Sequence, residues 1–464
     1  MKNSQPIVVI GAGISGLATA WFLQRANHDV LLLEKNKYPG GTMQSISQEG
    51  YVIDLGPNSA LETTPLFDTI LTELGIKSQQ VYANRNSSKR YILRNGKLHP
   101  LPMTPQAVLA TRLWSFRGKL RLLGELFAGR ADHEESIAEF VNRRLGQEFL
   151  DYAIDPFVAG VYAGNPEQLS VRVAFPKLYA LEEKYGGLIK GTIKGARERK
   201  RRAEKAKATA QMFSFIQGMN TFPAAIAEAL GKRVKYNSSV IAVSPSRRRR
   251  RNKTWNVVYE SRNAKESVEA SAVIIAAPAY ATSSIIREID PACADALSRI
   301  YYPPVAMVFT GFPLRQIRQQ LDGFGYLVPS KESRSILGTI WSSAIFPNRA
   351  PEGYAAFTTF VGGSRQPEMV ELADDQLLDH VISDLRSIMN IQGDPSFTLI
   401  QRWEKAIPQY NLGYGEILKQ LDLFEQNHKG LFFCSNYRGG IAVGDCLISA
   451  EKTAQKVEEH LTRQ

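Results

Sequence analysis

The chain has 464 residues, of which 44% are hydrophobic and 22% charged, with a formal net charge of +12. That length exceeds what one compact domain holds, so two or three units are expected, and the ordinary apolar fraction lets each bury a core. Three dispersed cysteines and six scattered histidines, none with metal-ligand spacing, exclude a disulfide framework and a metal site, and suit a reducing compartment.

Residues 7–10 read Ile-Val-Val-Ile, an apolar strand that breaks into Gly11, Gly13 and Gly16 and continues as a helix over 18–25. This is a dinucleotide-binding turn. Gly11 permits the tight turn, Gly13 lets the backbone approach a pyrophosphate and Gly16 lets the helix pack on the strand, with Ala12, Ile14 and Ser15 completing the phosphate-facing surface. A second strand over 30–33 ends at Glu34, followed by Lys35, at about the offset expected for the carboxylate that accepts ribose hydroxyls. The turn itself does not distinguish FAD from NAD. The next segment does, because Pro39, Gly40, Gly41 and Thr42 form a second glycine loop, followed by a short strand and turn through Tyr51, Ile53, Asp54, Leu55, Gly56, Pro57, Asn58 and Ser59. A nicotinamide domain needs neither, whereas a flavin must have its phosphate and ring ends held by closely approaching backbone.

Further along, 98–127 sets Leu109, Leu113, Trp114, Phe116, Leu120, Leu123, Leu126 and Phe127 against Arg112, Arg117, Lys119 and Arg121. Such a segment can lie in a membrane interface, pack in a core or line a channel. The positive charge concentrates in 194–207, with eight basic and two acidic residues, and in the five arginines of 247–251, where a hairpin tip is expected. Both read as solvated faces or as attraction to anionic headgroups, worth up to roughly 1 kcal/mol per basic residue. No recognition motif accompanies them, so nucleic acid is not an expected partner. Ahead of the arginines, Val240 ends a strand in the cofactor unit and can offer backbone groups to an adenine. The longest uncharged stretch, 270–286, contains Pro278 and reads as a strand over 273–276 leading into a turn, short of the ~18 to 20 apolar residues that span a bilayer. No secretory signal is expected, since the first strand begins within six residues.

Residues 283–415 carry strand runs at 306–309 and 355–361 and a helix over 371–389, the pattern of a mixed-sheet domain. Close to the C-terminus, an apolar strand over 431–435 is followed by Asn436, Tyr437, Arg438, Gly439, Gly440, Ile441, Ala442, Val443, Gly444 and Asp445, then a helix to about 460. This second strand, glycine loop and helix offers another anion-friendly helix N-terminus. One cofactor held by both ends of the chain is the economical reading.

The dinucleotide turn, Gly40-Gly41, Gly56-Pro57 and the loop from Gly439 to Asp445 resemble the flavin-containing amine oxidase superfamily. Within it the chain is similar to the oxygen-dependent protoporphyrinogen oxidases. That narrowing rests on Asp155-Pro156-Phe157-Val158-Ala159-Gly160-Val161-Tyr162-Ala163-Gly164, on Phe324-Gly325-Tyr326-Leu327-Val328-Pro329-Ser330, and on Thr358-Thr359-Phe360-Val361-Gly362-Gly363-Ser364-Arg365. Thr42 departs from the pattern, which often has a larger or basic residue after the glycine pair.

The resemblance implies an α/β fold with a Rossmann-like FAD-binding domain assembled from 1–80, 232–282 and 416–464. It implies a mixed-sheet substrate-binding domain from 81–87, 208–231 and 283–415, and a helical, membrane-associating domain over 88–207. It implies hydride transfer from protoporphyrinogen IX to the flavin, with dioxygen as acceptor and hydrogen peroxide as by-product, in haem or chlorophyll synthesis. Aromatisation drives such a reaction, so no catalytic nucleophile or base is nominated. By motif, Arg90 matches the arginine that pairs with a propionate, and Leu327, Ile340 and Phe360 match the residues that sandwich the pyrrole rings. Gly164 would be a close-approach backbone position near the substrate, and Ile441, Ala442 and Val443 would close the flavin site. Expected partners are the porphyrinogen, dioxygen, a ferrochelatase downstream and a second copy in a homodimer, in the cytoplasm and peripheral on a membrane. The rival readings are coproporphyrinogen III oxidation on the same scaffold, an amine oxidase or carotenoid desaturase, and a non-catalytic escort protein for prenylated GTPases. Retention of all three glycine loops and Glu34 favours a bound flavin over the last.

Overall fold

The computed structural model describes residues 5–192, 194, 210–246 and 254–463. The arginine run 247–251, and the basic stretch 194–207 apart from Lys194, lie outside the described residues.

Five short apolar strands form a parallel sheet in the order Val234–Lys235, Val30–Leu33, Ile7–Ile10, Ala272–Ile275, Leu431–Phe433. Apart from Lys235, their sequences are apolar rather than alternating, as expected for strands covered on both faces. Ile7, Val9, Leu32 and Ile274 face one core, built with Leu17 and Trp21 of helix Ile14–Arg25, Phe222 and Ile226 of helix Thr221–Leu230, and Leu447 and Val457 of helix Val443–Thr462. Val8, Ile10, Val273 and Phe433 face the other, against Val257 and Tyr259 of a three-stranded antiparallel sheet and Leu421 and Phe424 of helix Tyr414–Asn427. Each fully buried aliphatic or aromatic side chain stabilises by about 1.5–3 kcal/mol, so these two layers fix the sheet edge from which the glycine loops emerge. The uncharged stretch after Ala272–Ile275 turns at Pro278 and then continues as helix Ala279–Ile286, where the sequence suggested only a turn.

The second body is a seven-stranded mixed sheet in the order Phe397–Trp403, Val305–Pro313, Tyr354–Gly362, Ile336–Ile340, Gly323–Leu327, Lys89–Arg94, Lys97–Pro100. One face packs under helix Asp374–Met389 through Leu377, Val381 and Leu385. The other meets the strand pair Ser45–Gln48 and Tyr51–Asp54, where Tyr51 stacks on Phe397 at 5.0 Å and meets Phe309 edge-on at 5.5 Å. Two strands of this sheet fall inside the stretch read from sequence as helical, because Lys89–Arg94 pairs in parallel with Gly323–Leu327 and turns back into Lys97–Pro100. Met212–Phe215 does not join it; that strand pairs with Ala60–Leu61 and Gln80–Tyr82 instead.

Beyond residue 100 the insertion is helical, including Pro105–Ala110, Phe116–Leu123, Ile137–Arg144, Asp155–Tyr162 and Pro176–Tyr185. The segment 98–127 is therefore a strand end, two short α-helices and a closing 3-10 turn at Gly124–Phe127, the two α-helices being separated by Leu113 and Trp114, which are buried against Ile92 and Phe149. Arg144 is fully buried with Glu125 at 3.1 Å and Glu182 at 2.9 Å, and Glu125 also accepts the Leu188 amide at 2.5 Å. Among the described residues, no helix is long and apolar enough to cross a membrane.

Candidate active site

Three glycine loops far apart in sequence meet at the edge of the parallel sheet. Gly11 has φ +100°, and a Cβ at Gly16 would overlap the Gly11 carbonyl oxygen, so helix Ile14–Arg25 sits as close to the turn as a backbone can. A Cβ at Gly13 would meet nothing within 4 Å, which leaves open space at the helix N-cap. The amide of Gly40 donates to the Ala12 carbonyl at 2.8 Å, and Gly13 and Gly40 form an isolated parallel bridge. Gly41 lies against Gly13, and Gly56 fits under the Thr42 carbonyl with no room for a side chain. Pro57, Asn58 and Ser59 are half-buried on the far side of this junction, while Thr42 and Lys35 point outward.

Glu34 is buried and its carboxylate reaches back into the turn, accepting the Ala12 amide at 2.7 Å and the Asn36 amide at 2.8 Å. It thus stands at the junction itself, where the spacing argument puts a ribose acceptor. Val240 lies near the start of strand Ser238–Pro245 rather than at its end, beside an irregularity in its pairing with Trp255–Ser261 between Val240 and Ala242. Such a break frees backbone groups from the ladder.

The C-terminal loop comes to the same edge. Tyr410 donates from its hydroxyl to the Asn436 carbonyl at 2.5 Å and Tyr414 to the Tyr437 carbonyl at 2.7 Å, while Arg438 is held by Asp422 and Glu425. Helix Val443–Thr462 begins there and packs beside Ile14–Arg25. Neither helix has a side-chain cap: their N-caps are Ala442, preceded by Ile441, and Gly13. Two uncapped helix starts, with amides of the first turn (Val443 onward, Ile14 and Ser15) unpaired within their helices, make an anion-binding edge that fits a dinucleotide pyrophosphate.

Arg90, Leu327, Ile340 and Phe360 come from four strands of the seven-stranded sheet, and the register places them on one face in two adjacent rows. Arg90 pairs with Gly325, Gly325 with Ile340, and Ile340 with Thr358. The next row runs Ile92, Leu327, Gly338, Phe360. Side chains alternate across a strand, so a two-residue step keeps both rows on the same side, the side that carries Met307 and Phe309 toward the strand pair Ser45–Gln48 and Tyr51–Asp54. Phe360 and Ile340 are half-buried in strands whose neighbouring positions are buried, and Leu327 is half-buried beside them. They form an apolar wall that is partly exposed. The Arg90 guanidinium is exposed at its edge, 6.0 Å from the Phe324 ring, with no carboxylate paired to it among the described residues.

Helix Asp155–Tyr162 packs over this wall, and its contact glycine is Gly160: a Cβ there would lie 2.5 Å from Leu327 Cδ2. Gly164 is placed differently, buried against Gln409 and Leu169 beyond the left-handed Ala163 that ends the helix. It lies in the loop after the helix, whereas the backbone that closes on Leu327 is that of Gly160. Nothing in the motif string separates the two glycines, since only the helix phase decides which one faces the sheet.

Asp54 and Arg349 were not legible as a pair. Asp54 accepts from Ser45 Oγ at 2.6 Å and the Met219 amide at 2.7 Å, and faces Arg349 Nη2 at 3.4 Å. Burial raises the Asp54 carboxyl above its usual range despite Arg349, and burial likewise lowers the Arg349 guanidinium. All three cysteines are free and buried, and among the described residues no group of three or more His, Cys, Asp or Glu side chains could hold a metal.

The family pattern described as flavin containing amine oxidoreductase matches residues 14–458. A chloroplastic protoporphyrinogen oxidase of Oryza sativa subsp. japonica is 36% identical, over 100% of this chain and 90% of its own length. A coproporphyrinogen III oxidase of Bacillus subtilis (strain 168) is 27% identical, over 95% of both chains. A solved structure of an Exiguobacterium sp. 255-15 protein superposes with a TM-score of 0.80 at 22% identity, covering 98% of this chain and 99% of that one.

Proposed function

The chain belongs to the flavin containing amine oxidoreductases and is an FAD-dependent oxidoreductase, and we propose that it oxidises protoporphyrinogen IX to protoporphyrin IX, with dioxygen as acceptor and hydrogen peroxide as by-product. The observation that carries this reading is the two-row wall, in which Leu327, Ile340 and Phe360 lie on one sheet face with Arg90 at its edge. A porphyrinogen is a broad apolar disc with carboxylates at its rim, which is the complement of such a surface.

FAD, when bound, supplies the acceptor for a hydride leaving the macrocycle. The protein's own part is to hold and to orient. Gly13, Gly40, Gly41 and Gly56 would let backbone approach the cofactor, the helix starts at Ile14 and Val443 would hold its phosphates, and Glu34 would accept its ribose hydroxyls. Leu327, Ile340 and Phe360 exclude water from the ring faces, and Arg90 grips one propionate bidentately, which sets the rotation of the disc. No side chain is needed as a nucleophile, because aromatisation drives the reaction.

Peripheral membrane attachment belongs to the same proposal. Leu109, Phe116 and Phe127 are 74%, 75% and 88% exposed, and Met103 and Leu123 lie exposed among them beside Arg112 and Arg117. An apolar patch of this kind, rimmed by basic residues, suits an interface with anionic lipid. Co-flotation with anionic vesicles tests it.

The functional test is a side-by-side initial-rate assay in air, following porphyrin fluorescence from protoporphyrinogen IX and coproporphyrinogen III at matched concentrations. A large preference for the first is expected. The Bacillus relative makes the second the alternative outcome, and one assigned cation against four propionates argues against it.

A further inference from the structure

The buried pair Asp54 and Arg349 lies between the flavin-side turn and the substrate wall and belongs to neither. Asp54 ends strand Tyr51–Asp54, two residues before Gly56, and is 5% exposed; Arg349 is 2% exposed and is brought in from beyond strand Ile336–Ile340. Besides Asp54, the guanidinium donates to Ser214 Oγ at 2.8 Å and the Phe215 carbonyl at 3.2 Å, and rests on the Phe346 ring at 5.5 Å. Both groups line a small space of about 10 Å³, whose other polar walls are Asn58, Ser342 and Thr358 and whose apolar wall includes Ile340. That is room for one water among several hydrogen-bonding partners. The buried pair therefore shares one small space with Asn58 of the flavin-side turn and Ile340 of the wall. Replacing a buried ion pair by apolar groups often leaves stability unchanged or higher, so the pair is weak evidence for stability and leaves room for a role in setting geometry.

We propose that Arg349 is a positioning residue for the reaction: through Asp54, and through a water held in the space it shares with Asn58 and Ile340, it sets the flavin-side turn in register with the substrate wall. The proposal rests on the functional reading above. Its consequence is that disturbing Arg349 alters the flavin environment and the turnover step while substrate capture by Arg90 persists.

The test compares R349M, R349K and N58A with the wild-type holoenzyme by visible flavin absorbance, FAD dissociation constant, kcat, KM and thermal midpoint. R349M is expected to shift the flavin absorbance band and to lower kcat on the order of ten- to hundredfold, the cost of a small misplacement of reacting groups, with KM nearly unchanged. R349K, which keeps the charge, recovers part of both, and N58A shows the same band shift in weaker form. A lowered thermal midpoint with the flavin band, kcat and KM of the folded fraction all at wild-type values overturns the proposal. Should R349M not fold, R349K decides, and a wild-type band and kcat there overturn it. If the wild type oxidises neither porphyrinogen, the functional reading fails, while the band shift still tests the positioning role.

Discussion

Trp403 donates its indole N–H to the carbonyl of Leu55 at 2.8 Å, across 348 positions of sequence. Trp403 ends the outer strand of the seven-stranded sheet and pairs with Val305, whereas Leu55 leads into Gly56 and Pro57. This bond ties the turn on the cofactor side to the sheet on the substrate side, as the buried Arg349 and Asp54 do from the interior. The stacking of Tyr51 on Phe397 adds an apolar contact between the same two parts, of a kind worth about 0.5–1.5 kcal/mol beyond area burial. A reaction that depends on mutual orientation of cofactor and substrate is served by such cross-links.

Arg90→Ala should weaken substrate capture and leave flavin content unchanged. A charge-assisted pair is worth about 1.5–3 kcal/mol, so KM is expected to rise roughly tenfold to a hundredfold, with Arg90→Lys in between because it loses the bidentate grip. Steady-state kinetics on FAD-loaded protein checks this, and an unaltered KM would remove Arg90 from the site.

Gly160→Ala and Gly164→Ala should separate activity from stability. At Gly160 the new methyl meets the flexible end of Leu327, so the wall shifts and KM or kcat changes while the thermal midpoint holds. At Gly164 it meets the buried Gln409 side chain, whose amide donates to the Tyr162 carbonyl at 2.8 Å, so the protein loses on the order of 1–3 kcal/mol with normal kinetics in the surviving fraction. Urea denaturation alongside initial rates distinguishes the two; altered kinetics at Gly164 with unchanged stability would favour Gly164 over Gly160 as the position nearer the substrate.

Gly13→Ala should fold normally without cofactor and bind FAD at least tenfold more weakly. Its φ of −69° suits any residue and its Cβ meets no protein atom, so the methyl occupies only the space before the helix. Gly16→Ala drives a methyl into the Gly11 carbonyl and should destabilise the apoprotein itself. Thermal melts with and without added FAD provide the comparison, and equal FAD affinity in Gly13→Ala and wild type would contradict the placement of the phosphates.

Burial pushes the Cys293 and Cys446 thiols up to about 12 from an ordinary value of 9, and Cys434 shifts in the same direction. The folded chain therefore keeps protons that the unfolded chain releases between about pH 9 and 12, so the thiols' contribution to stability is constant below that window and falls as pH rises through it. Urea midpoints at pH 8 and pH 10.5 test the sign. In the native protein none of the three thiols should react with Ellman's reagent at pH 8, and all should after denaturation.

How much of this was legible before the fold was known depends on how local each feature is. Gly11, Gly13, Gly16 and Glu34 belong to one strand, helix and strand, so their spacing alone places them, and the same holds for Gly439 to Val443 at the start of the last helix. The substrate wall was reachable only through resemblance. Leu327, Ile340 and Phe360 are apolar residues in apolar strands, and nothing in their own sequence distinguishes a wall from a core. Strand order and register put them beside Arg90, and partial exposure in otherwise buried strands marks them out.

What the chain's sequence determined by itself is the set of elements proposed to hold the flavin: glycines at turns, helix starts and an acid at the right distance, all consequences of local geometry. Tertiary structure alone decided that Gly160 rather than Gly164 meets Leu327, that Lys89–Arg94 is a strand of the substrate sheet, and that Asp54 finds Arg349. The reason is physical. Helix phase and strand register choose which side of an element a residue occupies, and a buried charge can be matched only by a partner that packing delivers, here from 295 residues away.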